Sequence, residues 1–598
     1  MRTHKNNELR KENVDESVTL NGWVHSRRDH GGIIFIDLRD RYGLTQVVFD
    51  PNFNDKFMDQ AESLRREFCI EVKGIVKQRR DGMNNPNLPT GDVEVFVNEL
   101  TIINKSDVPP IEVDDRKEAS EDVRLKYRFL DLRRPSMQNK LLFRHNVVRA
   151  ARDFFNKNDF MEIETPLLVK STPEGARDYV VPSRVNPGLF YALPQSPQLY
   201  KQMLMISGCD RYYQVARCLR DEDLRSDRQP EHTQIDLEMS FVTADEIRTF
   251  VENLMAHIFK ETLNVELKVP FARLTYKESM ARFGCDKPDL RFGLELTDIT
   301  NTAEKSDFSV FKEVVANGGI VKCINPEKDL GRKEIDKYIE FCQQNGAKGM
   351  AWVRVTEEGL ESSIAKFLSE EIQKEIIQKT QAKPGSVIMF IADEKKKTNF
   401  VLSRLRNKLA EDLELFDKND FEFCWVYDFP LFAWNEENKT WEPEHHIFSM
   451  PKPEFVDDFE ERPGEVLGDL WDLVLNGTEM SSGSIRVSDP HLQARMLNFI
   501  GIDAKEADEK FGFLLNAYKY GGPCHGGVGV GLDRLVAMMI QLTDIREVIA
   551  FPKNKNAECP MDDSPNKISE LQMKELHLLY DEVAKKNLAK KSEKPQEE

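Results

Sequence analysis

The chain has 598 residues, 40% of them apolar, enough material for several units with cores of their own. Its 84 Lys and Arg against 103 Asp and Glu leave a net charge of −19, which excludes a basic nucleic-acid coat over the whole surface. The first 105 residues are nearly neutral, with 16 basic and 17 acidic side chains, so a local basic patch remains open to them. None of the nine cysteines forms a C-x-x-C pair, which argues against a zinc knuckle or ribbon and fits a reducing compartment. The polar N-terminus lacks the apolar stretch of a signal peptide, and no run of about 18 apolar residues occurs. The expectation is a soluble, cytoplasmic protein with no membrane partner and no zinc.

Residues 17–103 read as β-rich. Ile33 to Ile36 follow Gly31-Gly32, Gln46 to Phe49 follow a turn at Tyr42-Gly43, and Phe68/Ile70/Val72 and Val93/Val95/Val97 alternate at period two. With a helix-like stretch from Asp55 to Glu67 the order is β-β-β-α-β-β, that of an OB-fold barrel. The polar segment after residue 104, with Pro109-Pro110, reads as a hinge. A helix from Lys140 to Asn156 follows, and two apolar strands flank a charged loop within 211–240. Residues 291–420 read as an inserted unit. Ile364, Phe367, Leu368, Ile372 and Ile376 fall on one helical face there, and Val387 to Ile391 is a buried-strand run. From Lys585 the chain is Lys/Glu-rich and reads as disordered.

Two strings carry chemistry. Gly527-Val528-Gly529-Val530-Gly531 is not a dinucleotide fingerprint, because residue 532 is leucine, and no G-K-[ST] loop exists. Small residues ahead of Leu532-Asp533-Arg534 would let a backbone approach a ligand, with a helix N-terminus and Arg534 suited to an anion. A glycine-rich turn beside a surface arginine is the plainer alternative. The second string runs from Arg217 through Arg220-Asp221-Glu222 and Gln229 to His232 and on through Asp236 to Glu238. It reads as an antiparallel hairpin that presents Arg220, Glu222 and Asp236; a structural salt-bridge network is the alternative.

Together with Pro166 in its apolar setting, these strings resemble the three motifs of class II aminoacyl-tRNA synthetases. The strings Thr172 to Asp178, Gln195 to Gln202 and Arg220 to Asp223 resemble the bacterial aspartyl-tRNA synthetases, and so does an insert between the second and third motifs. The resemblance spans nearly the whole chain. It implies an α+β fold: OB-fold anticodon-binding domain 1–105, hinge 106–135, catalytic parts 136–290 and 421–560 around a six- or seven-stranded antiparallel sheet, inserted α/β domain 291–420, and extension 561–598. It also implies a homodimer through the Pro166 segment.

The implied reaction joins L-aspartate to ATP as aspartyl-adenylate and then to the tRNA 3′ end. An α-carboxylate with a pKa of about 3.3–3.7 is ionised at neutral pH, so no general base is needed, and the protein's part is positioning and charge stabilisation. By resemblance, Arg220, Glu222 and Arg534 are catalytic, with Asp221, Gln229, His232, Glu479, Gly531, Leu532 and Asp533 also around ATP. The family often has phenylalanine where His232 stands. Asp472 and Glu479 match Mg²⁺ ligands, and their spacing of seven residues puts them on one side if the segment is helical. Lys201 and Arg486 match the residues holding the substrate's side-chain carboxylate, so that asparagine would leave two buried cations unpaired. Asp236, Ser196 and Gln198 match those around its α-amino group, His445 and His446 lie in a substrate-side loop, and Glu174 belongs to a loop that closes over the amino acid. For tRNA the matches are Phe35 and Gln46 with Arg28 at the anticodon, and Arg225 and Arg228 at the acceptor stem. Phe35 is otherwise a core residue of an alternating strand. His30 and Gly82 resemble residues of enzymes that charge tRNA(Asn) as well as tRNA(Asp). Rivals are the asparaginyl and lysyl enzymes and a non-catalytic OB-type nucleic-acid binder.

Overall fold

The structure, a computed structural model, describes residues 1–172, 176–225 and 227–592. The chain forms two compact units: Met1–His145 with Leu224–Gln229 and Asp544–Ile568, and Asn146–Asp223 with Pro230–Thr543 and the chain from Ser569 onward.

In the first unit, strands Ser17–His30, Ile33–Arg39, Leu44–Phe49, Cys69–Gln78 and Val93–Asn104 close into a barrel. The first strand pairs with the second and fourth and the third runs parallel to the fifth, which is the expected OB order. Period-two alternation builds it: Ile34, Ile36 and Leu38 enter the core, and Phe35 and Asp37 are left on the outer face. Phe35 is therefore not a core residue. The helix is shorter than expected, Met58–Ser63.

The expected hinge is ordered. It carries helices Glu121–Lys126 and Arg128–Asp131, because its charges face each other instead of water. Asp131, fully buried, bonds Arg124 at 3.0 Å, Arg128 at 2.6 Å and Arg134 at 3.0 Å. Arg124 and Lys140 also hold Glu547, at 3.0 and 2.6 Å. Burial works to raise the Glu547 carboxyl, and these two cations bring it down to about 2. Arg133 reaches the barrel's Glu67 at 2.9 Å and lies 4.7 Å over Trp23.

The second unit is built on an eight-stranded sheet. Six antiparallel strands form its body: Phe423–Tyr427, Leu470–Leu475, Thr478–Ile485, His525–Gly531, Glu231–Ser240 and Arg211–Leu219. A short parallel strand closes each edge, Ala272–Thr275 beside Phe423–Tyr427 and Met161–Glu162 beside Arg211–Leu219. These two edge strands account for the difference from the expected six or seven.

Within residues 296–393 a separate five-stranded sheet is covered on both faces. Val387, Met389 and Ile391 face one core, and Ile388 and Phe390 the other, which is why the run is apolar throughout. The single helical face expected from Ile364 to Ile376 is two elements. Ser369 accepts a bond from the Ile372 amide and starts the helix Glu370–Thr380, after a 3₁₀ turn Ala365–Phe367 that leaves Phe367 exposed. The C-terminal extension, expected to be disordered from Lys585, is helical over Glu582–Ser592. Asp581 accepts from the Ala584 amide and Lys585 pairs with Glu582 at 2.9 Å; residues 593–598 lie outside the described residues.

Asp131→Ala would leave three guanidinium groups facing one another without their shared anion. We expect a loss of about 3 kcal/mol or more, visible as a lower urea midpoint of the full chain; an unchanged midpoint would refute the assigned role.

Candidate functional site

The floor of the site is a buried charge cluster on the central sheet. Lys201, on helix Gln198–Ile206, places its ammonium 2.8 Å from Asp236 and 3.2 Å from Glu238. Arg486 grips Glu238 with two bonds, at 2.9 and 3.2 Å, and donates to Ser484 Oγ and the Gly527 carbonyl. All four charged side chains are at most 5% exposed. Burial works to raise the Glu238 carboxyl, but Arg486 and Lys201 hold it near 2; at Asp236 burial wins over Lys201 and the carboxyl moves up. The expectation that a neutral ligand would leave Lys201 and Arg486 unpaired is therefore corrected, since each already has a carboxylate.

Gly527 and Gly529 explain the glycine string. They lie in the strand His525–Gly531, not in a turn, and pair across with Glu238 and Asp236. A Cβ on Gly527 would meet Glu238 Oε2 and the Leu237 carbonyl at 2.1 Å, and one on Gly529 would meet Asp236 Oδ1 at 3.4 Å. Gly527 makes room for the Glu238 carboxylate, while at Gly529 the tightest neighbour is the Gln234 side-chain oxygen, at 3.0 Å. Helix Leu532–Met539 starts directly after the strand, and Asp533 accepts the Thr233 amide at 2.7 Å, locking that helix to the hairpin.

Of the residues expected on the nucleotide side, Arg220 sits half-buried at the end of its strand, with Nε donating to the Gln195 carbonyl at 3.3 Å and its amide to Pro230. Arg534 donates to the Glu479 carbonyl at 2.7 Å. Asp221 and Glu222 follow Arg220, and Asp221 forms a backbone bridge with Arg177. His232 is held neutral: burial first, then Arg220, Arg217 and Arg534, bring its pKa down to about 3. A neutral ring is the form that can stack on a base. Ser196 and the buried Gln198 open the helix that carries Lys201, and the Gln198 amide nitrogen has no hydrogen-bond partner. His445 packs edge-on against Phe429 at 4.6 Å, and His446 Nδ1 accepts from the Phe448 amide. Glu174 lies outside the described residues; the flanking Asp178 accepts from Gln195 at 2.6 Å and from Ser171 at 2.8 Å.

Asp472 and Glu479 are not on a helix. They lie on neighbouring antiparallel strands joined by a tight turn in which Asn476 (φ +49°) and Gly477 (φ +80°) adopt left-handed backbone. Burial, and then Glu479, push the Asp472 carboxyl well up. Glu479, against its own burial, is held down by Lys287 at 2.8 Å. Asp472 Oδ1 is buried with no hydrogen-bond partner. Among the described residues no cluster of three or more His, Cys, Asp and Glu could hold a metal, but two carboxylates suffice for an Mg²⁺ that keeps water and phosphate ligands.

In the first unit, the barrel's outer face groups Arg28, Phe35 and Gln46. Arg28 donates to Asp37 at 3.0 Å and to Gln46 at 3.1 Å, and Gln46 donates to Glu94 at 2.6 Å. His30 is exposed with its ring 5.9 Å from Phe35, and Gly82 (φ +79°) stands in open space. Arg225 and Arg228 are exposed and joined by a backbone bridge, and buried Gln229 clasps the backbone of Lys553 at 2.8 and 3.2 Å.

Sequence reasoning missed Glu238 and Lys287. For Glu238 a signal existed: it stands two residues from Asp236 on a strand, and hence on the same face. Lys287 lies in an irregular segment without periodicity.

A six-stranded antiparallel sheet with arginines beside a buried charge cluster, in one chain with an OB barrel, is the architecture of class II aminoacyl-tRNA synthetases. Residues 120–555 match the family described as tRNA synthetases class II (D, K and N), and residues 18–103 match the OB-fold nucleic acid binding domain. The chain is 50% identical over 582 residues to the aspartate–tRNA(Asp/Asn) ligase of Thermoanaerobacter pseudethanolicus, covering 97% of this chain and 98% of that one. It is 48% identical over 587 residues to the ligase of the same name from Anoxybacillus flavithermus, covering 98% and 99%. Among solved structures, the asparaginyl-tRNA synthetase of Pyrococcus horikoshii complexed with asparaginyl-adenylate superposes with a TM-score of 0.57 at 21% identity, over 91% of this chain and 96% of that one. The aspartyl-tRNA synthetase of Entamoeba histolytica gives 0.55 at 18%, over 92% and 91%. These two likenesses speak to the fold alone. The chain belongs to the class II tRNA synthetases of the D, K and N group.

The folded pKa of His232 lies below its ordinary value of about 6.5, so the neutral ring favours the folded state above that pH and the benefit shrinks as pH falls toward 3. Its ring resonances are expected to stay those of neutral imidazole from pH of about 8 down to about 4.5. A protonation step near pH of about 6.5 in an NMR titration would contradict this.

Proposed function

We propose that this chain activates L-aspartate with ATP to aspartyl-adenylate and transfers the aspartyl group to the 3′ end of tRNA(Asp). The observation that carries the reading is the buried cluster of Lys201, Arg486, Asp236 and Glu238 beside Arg220. Three cations stand against two carboxylates, a balance of +1. Aspartate, with one ammonium and two carboxylates, brings −1 and completes the balance; asparagine brings zero and leaves the excess positive charge beside the cluster unmatched.

In this reading Lys201 and Arg486 face the side-chain carboxylate, and Asp236, Ser196 and Gln198 surround the α-ammonium. His445, His446 and Glu174 belong to the walls around the amino acid. Arg220 orients the α-carboxylate against the α-phosphorus; that carboxylate attacks and pyrophosphate leaves. Arg534 takes the distal phosphates, His232 stacks on adenine and Glu222 reads its amino group, with Asp221, Gln229, Gly531, Leu532 and Asp533 shaping the nucleotide's bed. Asp472 and Glu479 would hold Mg²⁺, which supplies positive charge for the phosphates. No residue needs to remove a proton in the first step, since the nucleophile is already ionised.

We read residues 1–105 as the anticodon-binding domain, with Phe35 stacking on a base for roughly 1–3 kcal/mol and Gln46 and Arg28 reading its edges. Arg225 and Arg228 face the acceptor stem. Residues 106–135 link this domain to catalytic parts 136–290 and 421–560, which the domain at 291–420 interrupts, and 561–598 form an extension. Exposed Leu167, Leu168, Phe190 and Tyr191 around Pro166 support a homodimer through that segment. The cytoplasm is the expected compartment; among the described residues no helix is long and apolar enough to cross a membrane. His30 and Gly82 support charging of tRNA(Asn) as well.

Lys201→Met and Arg486→Leu are each expected to lower kcat/KM for aspartate in pyrophosphate exchange by about a hundredfold or more, with the KM for ATP little changed. Undiminished aspartate activation in either variant would sink the assignment. With purified tRNA(Asn), the wild-type chain is expected to form aspartyl-tRNA(Asn); no transfer there would limit it to tRNA(Asp).

A further inference from the structure

The segment 286–294, between helix Tyr276–Phe283 and the first strand of the inserted sheet, Leu296–Asp298, bears no role in the reaction above. Three observations give it one. Lys287 places its ammonium 2.8 Å from Glu479 Oε2, and Asp286 stands 3.6 Å from the same ammonium. The turn joining the strands of Asp472 and Glu479 rests on this segment: a Cβ on Gly477 would lie 3.4 Å from Asp289 Cβ and 3.8 Å from the Lys287 carbonyl. The segment itself is fixed from the inserted domain. Arg406, 1% exposed on helix Lys395–Asp412, donates to the carbonyls of Asp289, Phe292, Gly293 and Leu294 at 2.7–3.1 Å, its guanidinium 4.1 Å over Phe292.

We infer that Lys287 is a positioning residue for the metal and phosphate site, delivered to Glu479 by the inserted domain through Arg406, and that it makes divalent-ion binding depend on the nucleotide. An ammonium 2.8 Å from one carboxylate oxygen and a divalent ion on the same group repel each other and compete for its lone pairs. Ion binding must displace or re-aim Lys287. Without nucleotide that exchange trades one cation for another. With ATP, the phosphates add negative charge that satisfies the ion and the released ammonium together. The metal thus arrives with ATP and not ahead of it, and Glu479 is held in place meanwhile.

This inference rests on Asp472 and Glu479 as the metal-holding pair, and its test is independent of which amino acid is activated. Mn²⁺ binding to the full-length chain without nucleotide, followed by electron paramagnetic resonance, is the readout. Lys287→Met is expected to tighten Mn²⁺ by about threefold or more, and Lys287→Arg to leave it as in wild type. Arg406→Met, checked for retained fold by circular dichroism and thermal midpoint, is expected to shift Mn²⁺ affinity in the same direction as Lys287→Met. Mn²⁺ affinity that is unchanged or weaker in Lys287→Met, or wild-type Mn²⁺ binding as tight without nucleotide as with a non-hydrolysable ATP analogue, overturns the inference. A folded Arg406→Met protein with wild-type affinity overturns the part assigned to the inserted domain. Wild-type protein that binds Mn²⁺ as expected but exchanges no pyrophosphate with aspartate sinks the proposed function and leaves the role of Lys287 standing.

Discussion

The two-pronged contact between Arg486 and Glu238 is the constraint on which the catalytic unit turns. Both groups are buried, so neither can lose its partner without leaving an isolated charge in a low-dielectric interior. Lys201 and Asp236 extend the pair into a four-membered lattice that draws on one helix and on strands distant in the chain. Strand order follows from this. Glu231–Ser240 must lie against His525–Gly531, and the facing positions of the latter must be glycine, or Glu238 has no room. Electrostatics, sheet register and the choice of glycine are here one requirement seen at three levels.

The same physics appears in the first unit with a different outcome. Around Asp131 three arginines converge on one carboxylate, and their other donors go to backbone carbonyls and to Glu547, Glu118 and Asp115. That cluster is closed, each charge ending on protein. The cluster around Lys201 and Arg486 has Arg220 beside it, whose side chain donates only weakly to a carbonyl at 3.3 Å. The two clusters thus differ in what stands at their edge, a half-buried arginine at the end of a strand in one and carboxylates in the other.

What could be read from the sequence divides along the same lines. The barrel was legible because its alternation has one period and one buried face, as Ile34, Ile36 and Leu38 show against Phe35. Arg220, Lys201, Arg486 and Arg534 stood out through ordered motifs, and Lys201 and Arg486 share one buried charge cluster. The helices within the segment read as a hinge were not legible, because nothing local announces that Arg124, Arg128 and Arg134 share Asp131. The seven-residue spacing of Asp472 and Glu479 places them on one side only if the segment is helical, whereas Asn476-Gly477 between two apolar runs is a hairpin signal, and a hairpin is what forms. Ser369 was overlooked in the same way: a cap divides what periodicity joined. For Glu238 the local alternation with Asp236 gives its face, but not its partner, because Arg486 is 248 positions away.

The position of the inserted domain follows from the sheet's topology. Strand Ala272–Thr275 runs parallel to Phe423–Tyr427 at the edge of the sheet. Parallel neighbours cannot be joined by a tight turn and need a crossover of a dozen or so residues at least. A connection that must leave the sheet and return is the place where the chain can grow into a domain without disturbing any antiparallel pairing, and loop-closure entropy rises only slowly with its length. The edge strand is also remote in strand order from Glu231–Ser240, so the buried charge lattice is untouched by the insertion. Its stem, however, passes beside Leu470–Leu475 and Thr478–Ile485, the strands bearing Asp472 and Glu479. An element added where the fold tolerates it best therefore meets the strands of two acidic side chains, and Lys287 on its stem ends on one of them, Glu479, at 2.8 Å.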